Sequence, residues 1–126
     1  QESFDRTLQY MKERKQFGAL IGSFQALQHR TAHWWSEIEM CKSVVLKVLQ
    51  SLDEGDVKAP ALVSIAKAKL CEVAELSTNE AIQLHGGIGM TDEYEIGFFI
   101  KRARPAQMLF GDYNYHANRF ALISGY

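Results

Sequence analysis

Two histidines have the spacing of metal ligands on a helix. His29 and His33 are four residues apart, so both side chains lie on one helix face. A zinc site needs a third ligand and usually a fourth, and no glutamate stands between these histidines as in a metalloprotease helix. The spacing therefore predicts a solvent-facing or partner-facing pair, and we expect no metal site.

A glycine cluster follows a long helical pattern. Gly86, Gly87 and Gly89 fall within four residues. Glycine lets a ligand approach the backbone closely, but phosphate-binding loops open a helix, whereas this cluster ends one. Glycine also terminates helices by adopting a positive φ. Spacing alone leaves two interpretations open, a helix C-cap and a backbone that faces a ligand.

Basic residues gather where the first predicted helix ends. Lys12, Arg14 and Lys15 stand beside Gln16, Phe17 and Gly18. The helix macrodipole favours cations at a C-terminus by up to about 1 kcal/mol each. An arginine in this place also suits a pyrophosphate, which it binds through two parallel hydrogen bonds. Both roles fit the pattern.

One carboxylate follows the late apolar stretch 108–111. In apolar surroundings the pKa of a carboxyl group such as that of Asp112 rises, and the group can then act as a general base. Asp112 also immediately precedes a predicted helix, where aspartate is a favoured N-cap. From position alone the N-cap is the simpler interpretation.

Helices must position all these residues. The chain has two prolines and no alternating run rich in Val, Ile and Thr, which indicates an all-α fold. Apolar spacing predicts helices over residues 1–15, 24–54, 60–85, 94–109 and 113–124. Pro105 is expected to kink or divide the fourth helix. The two long helices favour an up-down four-helix bundle with a fifth, short helix, in one domain spanning 1–126.

The first long helix carries a heptad pattern. Its apolar positions recur at spacings of three and four: Phe24, Leu27, Thr31, Trp34, Ile38, Cys41, Val45, Val48 and Leu52. Ser23 is the predicted N-cap of this helix, after a short apolar loop between Gly18 and Gly22. Trp34 and Trp35 are adjacent and cannot both face one core, so one of them is expected to meet a partner helix or subunit.

The overall composition excludes several functional classes. Fourteen Lys and Arg against fifteen Asp and Glu give a net charge of −1, which excludes a basic nucleic-acid arm and a polyacidic tail. No apolar run approaches the roughly 20 residues of a membrane span, and the charged N-terminus does not resemble a signal peptide. The positions of Cys41 and Cys71 in helical segments predict two buried thiols in a reducing compartment. We therefore expect a cytoplasmic location.

Three segments together resemble the acyl-CoA dehydrogenase family. Residues 13–18, followed by Ile21 and Phe24-Gln25, are similar to its R-x-x-F-G-x-x-I-x-x-F-Q signature. Residues 81–90 match its Q-x-x-G-G-x-G motif, and residues 101–104 resemble its R-D-A-R-like segment. Order, spacing and helical context agree over essentially the whole chain. The resemblance implies the C-terminal domain of that family, which is a helical bundle.

The resemblance also implies a chemistry. The family oxidises the Cα–Cβ bond of an acyl-CoA thioester: a carboxylate removes the α-proton, the flavin N5 accepts a hydride, and an electron-transferring flavoprotein takes the electrons. By the matching motifs, FAD would be contacted by Arg14, Gln16, Phe17, Gln25, Gln83, Leu84, Gly86 and Gly87. The FAD lined by residues 83–87 would be held mainly by the neighbouring subunit. The family's usual assembly is a dimer of dimers.

The family's catalytic position is altered in this chain. Its usual Tyr-Glu-Gly-Thr pattern aligns the catalytic glutamate with Gly111 and the following glycine with Asp112. Asp112, displaced by one residue, is one candidate base, although one residue of helix turns a side chain by about 100°. A base on a helix preceding residue 1 is another. A third possibility is a subunit without a base, as in heteromeric two-gene dehydrogenases with a Leu-Phe-Gly-Asp segment.

Two functions follow as expectations. The first is the FAD-contacting and oligomerisation domain of an acyl-CoA dehydrogenase, inactive by itself, with acyl-CoA as substrate and electron-transferring flavoprotein as acceptor. The second is a non-catalytic subunit or domain that completes a partner's FAD site. Homomeric and heteromeric assemblies both remain open.

Overall fold

The computed structural model describes all 126 residues and is built from five α-helices. They are α1 (Glu2–Glu13), α2 (Gln25–Asp53), α3 (Ala59–His85), α4 (Ile96–Met108) and α5 (Tyr113–Ser124). Short 3₁₀ helices span Ile21–Ser23 and Gly86–Met90. The predicted all-α bundle is confirmed, and its predicted helices lie within a few residues of the observed bounds.

Helix α3 lies at the centre and contacts α1, α2, α4 and α5. Its pairing with α2 is antiparallel, because Arg30 pairs with Glu80, Trp34 with Ser77, and the Cys41 thiol with the Lys69 carbonyl. A five-residue connection joins the two helices, and Pro60 lies in the first turn of α3, where its missing N–H costs nothing. The two long helices therefore form the hairpin onto which the other three pack.

Trp34 anchors the core. Its side chain is fully buried, its indole Nε1 donates to Ser77 Oγ at 2.8 Å, and the Phe4 ring packs edge-on at 4.9 Å. Trp35 is 42% exposed, with the Lys42 ammonium 5.1 Å from its ring centroid. The expectation that only one of the two tryptophans enters the core is confirmed.

The heptad of α2 is buried or half-buried from Phe24 to Val48, but its last member is not. Leu52 is 52% exposed. On α3, Leu70 is also exposed. The heptad spacing places Leu52 on the apolar face of α2, but the fold leaves it uncovered.

The junction between α1 and α2 differs from the prediction. Ser23 does not cap α2: its hydroxyl donates to Leu20 O at 2.7 Å, and Phe24 stands at the N-cap without a side-chain hydrogen bond. The expected loop instead contains a two-stranded hairpin, β1 (Lys15–Gln16) and β2 (Ala19–Leu20). Strands of two residues are too short to be predicted from an alternating pattern. The Ser23 hydroxyl is not free to cap α2, because it forms its hydrogen bond within the 3₁₀ turn.

Pro105 does not divide α4, which is continuous from Ile96 to Met108. Beyond the proline, the Lys67 ammonium donates to the carbonyls of Ala106 at 2.8 Å and Gln107 at 3.2 Å. Gln107 Nε2 also donates to Cys71 O at 2.8 Å. Helix α3 thus satisfies carbonyls at the α4 end that have no partner within α4.

Candidate functional site

A surface cavity of ≈ 650 Å³ lies where the β1–β2 hairpin meets the C-terminal end of α3. Of the eight residues predicted to contact a cofactor, seven line it: Arg14, Gln16, Phe17, Gln83, Leu84, Gly86 and Gly87. The remaining lining residues are Tyr10, Ile21, Phe24, Ala26, Leu27, His85 and Ile88. The eighth predicted residue, Gln25, is exposed at the start of α2 and does not line the cavity. The fold thus unites two motifs that stand some 60 residues apart.

The hairpin sets one wall of the cavity. Lys15 pairs with Leu20 and Gln16 with Ala19, so Phe17 and Gly18 form its two-residue turn. Their φ values of 53° and 78° correspond to a type I′ turn, whose twist suits a hairpin. The left-handed conformation is unfavourable for phenylalanine, yet the Phe17 side chain is 95% exposed and so gains little burial in return.

The cavity wall carries one unpaired cation. Arg14 is exposed and forms no ion pair within the chain. The adjacent Glu13 carboxylate is already engaged, since it accepts a hydrogen bond from Gln9. The guanidinium of Arg14 is therefore available to an anion.

The glycines form the opposite wall and serve two purposes. Gly86 has a φ of 66° and its N–H donates to the carbonyls of Ile82 and Gln83, so the helix C-cap interpretation is correct for this residue. Gly87 has no positive φ, and a Cβ placed on it would meet nothing within 4 Å. Nothing inside the chain requires a glycine at position 87, and its bare backbone lies open at the cavity. This is the arrangement expected where a ligand approaches the backbone.

His85 also lines the cavity, and no sequence pattern shows that its ring is buried there. Its ring is buried, stacks on Tyr10 with centroids 4.3 Å apart, and packs against Tyr94 at 4.9 Å. Nδ1 lies 2.7 Å from Ala81 O and so donates to it, whereas Nε2 has no partner. Burial lowers the pKa of His85. Because Tyr10 and His85 are distant along the chain, no local pattern indicates this stack.

Asp112 lies apart from this cavity. It is the N-cap of α5, with Oδ1 accepting from Tyr115 N at 2.9 Å, as the simpler interpretation predicts. It lines a second surface cavity of ≈ 420 Å³, together with Glu72, Glu75 and Arg104. The structure therefore does not bring Asp112 together with the seven residues of the first cavity.

The remaining features are the histidine pair on α2 and the apolar character of the helices. His29 and His33 are exposed on α2, and no group of three or more His, Cys, Asp or Glu side chains lies close enough to bind a metal ion. None of the five helices combines the length and the apolar character needed to cross a bilayer.

Taken together, these features define a helical bundle domain with an open cavity, lined in part by glycines, at one end of its central helix. Residues 1–122 match the family model for the C-terminal domain of acyl-CoA dehydrogenases, and the chain belongs to that family.

Several relatives of this chain are acyl-CoA dehydrogenases by name. One is acyl-CoA dehydrogenase IpdE2 of Mycolicibacterium smegmatis, 38% identical over 85% of this chain and 32% of that protein. Another is the mitochondrial short/branched chain specific acyl-CoA dehydrogenase of Bos taurus, 33% identical over 96% of this chain and 28% of that protein. The chain thus spans about a third of the length of these relatives.

Solved structures share the fold closely. An acyl-CoA dehydrogenase from Geobacillus kaustophilus superimposes with a TM-score of 0.92 at 31% identity, covering 98% of this chain and 32% of that one. An FAD complex of PigA gives a TM-score of 0.91 at 28% identity over the same shares. The bundle is therefore the fold that these larger proteins contain.

The buried His85 predicts a pH-dependent stability. Since the folded chain keeps this ring neutral and the unfolded chain protonates it near pH 6.5, the wild type should lose stability as the pH falls below about 6.5. His85→Phe keeps a ring between Tyr10 and Tyr94 and removes the unpartnered Nε2. We expect the free energy of unfolding of the variant, minus that of the wild type, to increase as the pH is lowered from 7.5 to 5. The increase should be at most about 1.4 kcal/mol per pH unit.

Urea unfolding at four pH values measures this difference. His29→Gln is the matched control, because His29 is exposed in the folded chain as it is in the unfolded one; its pH dependence should follow the wild type. Equal pH dependences for wild type and His85→Phe would contradict the prediction.

Proposed function

We propose that this chain is the C-terminal FAD-contacting and oligomerisation domain of an acyl-CoA dehydrogenase, which oxidises the Cα–Cβ bond of an acyl-CoA thioester. One observation carries the proposal: the cavity unites the Arg14–Phe17 segment with the Gln83–Gly87 segment, the two motifs by which the chain resembles the family. Family membership supports the activity, and the solved FAD complex of a relative supports the cofactor.

The cavity residues fit part of an FAD molecule. Arg14 is free to bind the pyrophosphate, and a bidentate guanidinium suits that group. Phe17, Ile21 and Leu84 supply apolar surface for a ring system. The open backbone at Gly87 allows close approach. When bound, FAD supplies the hydride acceptor, and this chain's contribution is to bind and orient the cofactor.

The proposed partners follow from the family. The substrate is an acyl-CoA, the electron acceptor is an electron-transferring flavoprotein, and the assembly is a homomeric or heteromeric dimer of dimers. Exposed apolar residues support an oligomeric role: Trp35, Leu46, Leu49, Leu52, Leu122 and Ile123. Two buried free thiols, Cys41 and Cys71, support a reducing compartment and hence the cytoplasm.

A second candidate is a domain that completes a partner's FAD site without supplying the catalytic base. The geometry at position 111 favours it. Gly111 has a φ of 98°, and a Cβ there would lie 2.3 Å from Tyr115 Cδ1, so a glutamate at this position requires the Tyr115 ring to move. The neighbouring Asp112 carboxylate is engaged as a helix cap.

The first prediction from this proposal concerns turnover by the 126-residue chain alone. With FAD, an acyl-CoA and an electron-accepting dye added, we expect no dye reduction above the rate without protein, because the cavity is open and its residues form only one side of a cofactor site. An acyl-CoA dehydrogenase assayed in parallel is the positive control. Acyl-CoA-dependent dye reduction by the chain would contradict the proposal.

The second prediction concerns Arg14. In the flavoenzyme that contains this chain, Arg14→Ala should weaken FAD binding about 10- to 100-fold, the size of effect expected for one hydrogen-bonded ion pair. Flavin release followed by fluorescence measures the dissociation constant. Lys12→Ala removes a nearby exposed cation that does not line the cavity and should leave FAD binding unchanged. Equal effects of the two variants would refute the assignment of Arg14.

The third prediction decides whether Asp112 is the catalytic base. Asparagine caps helices as well as aspartate does, so Asp112→Asn preserves the start of α5 while removing the charge. From the geometry at 111–112 we expect kcat of the assembled enzyme to change less than threefold with FAD retained. A fall of two or more orders of magnitude would instead identify Asp112 as the base.

A further inference from the structure

The segment between α4 and α5 is held in an unusual conformation. Phe110 has a φ of 60°, which side-chain-bearing residues rarely adopt, and Gly111 follows with a φ of 98°. Phe110 is 85% exposed, and Met108 and Leu109 beside it are 69% and 56% exposed. Burial of these side chains therefore does not explain why the backbone keeps this shape.

A chain of hydrogen bonds ends on the strained residue. Arg119 Nη1 donates to Ser64 Oγ at 2.6 Å and to Pro60 O at 2.7 Å. Ser64 Oγ lies 3.4 Å from His116 Nδ1, and His116 Nε2 lies 3.0 Å from Phe110 O. Ser64 and His116 are both buried, so the interaction is shielded from water.

The chemistry of the acceptor fixes the direction of the last hydrogen bond. A carbonyl oxygen only accepts, so His116 Nε2 carries a proton and donates to Phe110 O. Ser64 Oγ accepts from Arg119 and has one proton to offer to Pro60 O at 3.3 Å or to His116 Nδ1 at 3.4 Å. These contacts tie the His116 ring to α3 and place its Nε2 at the Phe110 peptide.

A backbone hydrogen bond from Gly111 N to Met108 O at 3.2 Å closes a turn around Leu109 and Phe110, and side-chain contacts hold the segment on either side of it. Lys67 and Cys71 hold the end of α4 at residues 106 and 107, and Asp112 caps α5. Tyr115 covers Gly111, and its ring packs edge-on against His116 at 5.0 Å. His116 is the side chain that binds the carbonyl of the strained residue itself.

We propose that His116 is a positioning residue: it holds the Phe110 carbonyl and thereby sets the direction in which residues 110–112 present their side chains to the site. The link to the site rests on the proposed function, because only the family resemblance places this segment beside the reacting atoms. The conformational claim stands on the hydrogen bonds alone.

Limited proteolysis with chymotrypsin tests the conformational claim without any flavin. Phe110 is exposed, yet its fixed left-handed backbone should resist the extended conformation that a protease requires. His116→Leu removes the donor, and we expect cleavage within residues 108–113 to accelerate at least tenfold. His116→Gln retains a side-chain N–H donor, so its cleavage rate should return to within about threefold of wild type.

Ser77→Ala is the control for general destabilisation, because it removes the partner of the buried Trp34 in another part of the core. It should lower the thermal midpoint without favouring cleavage at 108–113 over other sites. Three results would each overturn the proposal. They are a cleavage rate of His116→Leu equal to that of the wild type, equal rates for His116→Leu and His116→Gln, and preferential cleavage of Ser77→Ala at residues 108–113.

Turnover of the assembled flavoenzyme tests the link to the site. His116→Leu should lower kcat/KM for the acyl-CoA at least fivefold, and His116→Gln should restore most of it. Faster proteolysis with unchanged kcat/KM would overturn the link. A wild type with no acyl-CoA turnover would refute the proposed function instead, and the proteolysis result would stand independently.

Discussion

The packing of α3 against all four other helices is the constraint on which the rest of the structure depends. Its C-terminal end supplies one wall of the candidate cofactor cavity, while Ser64, Lys67 and Cys71 in its first half secure the segment between α4 and α5. The Trp34–Ser77 hydrogen bond sets its register against α2. Because one rigid helix serves both regions, a rotation of α3 would displace the cavity and that segment together.

Backbone strain is concentrated at two exposed phenylalanines. Phe17 and Phe110 are the two residues other than glycine with a positive φ, and neither is compensated by burial of its own ring. Local hydrogen bonds hold both: the β1–β2 pairing brackets Phe17, and His116 binds the carbonyl of Phe110. Such conformations cost on the order of 1–3 kcal/mol and persist where the surrounding structure determines them, which is common at ligand-binding sites.

The two buried histidines, His85 and His116, differ in how fully their ring nitrogens are hydrogen-bonded. Both ring nitrogens of His116 have partners, whereas Nε2 of His85 has none and its pKa is lowered by burial. A similar contrast holds for the arginines, since Arg30 is paired with Glu80 while Arg14 is free beside the cavity. One unsatisfied ring nitrogen and one unpaired arginine thus lie at the site where a ligand is proposed.

The sequence by itself determined the helical bundle, the heptad of α2, the cap at Asp112 and the seven cavity residues, because each depends on local spacing or on a contiguous motif. Only the tertiary structure decided that a hairpin precedes α2, that Gln25 lies outside the cavity, and that Ser23 is not a cap. It alone also joined Tyr10 to His85 and Ser64 to His116. These contacts depend on how separate helices meet in space, and no periodicity along the chain records the rotation of one helix against another.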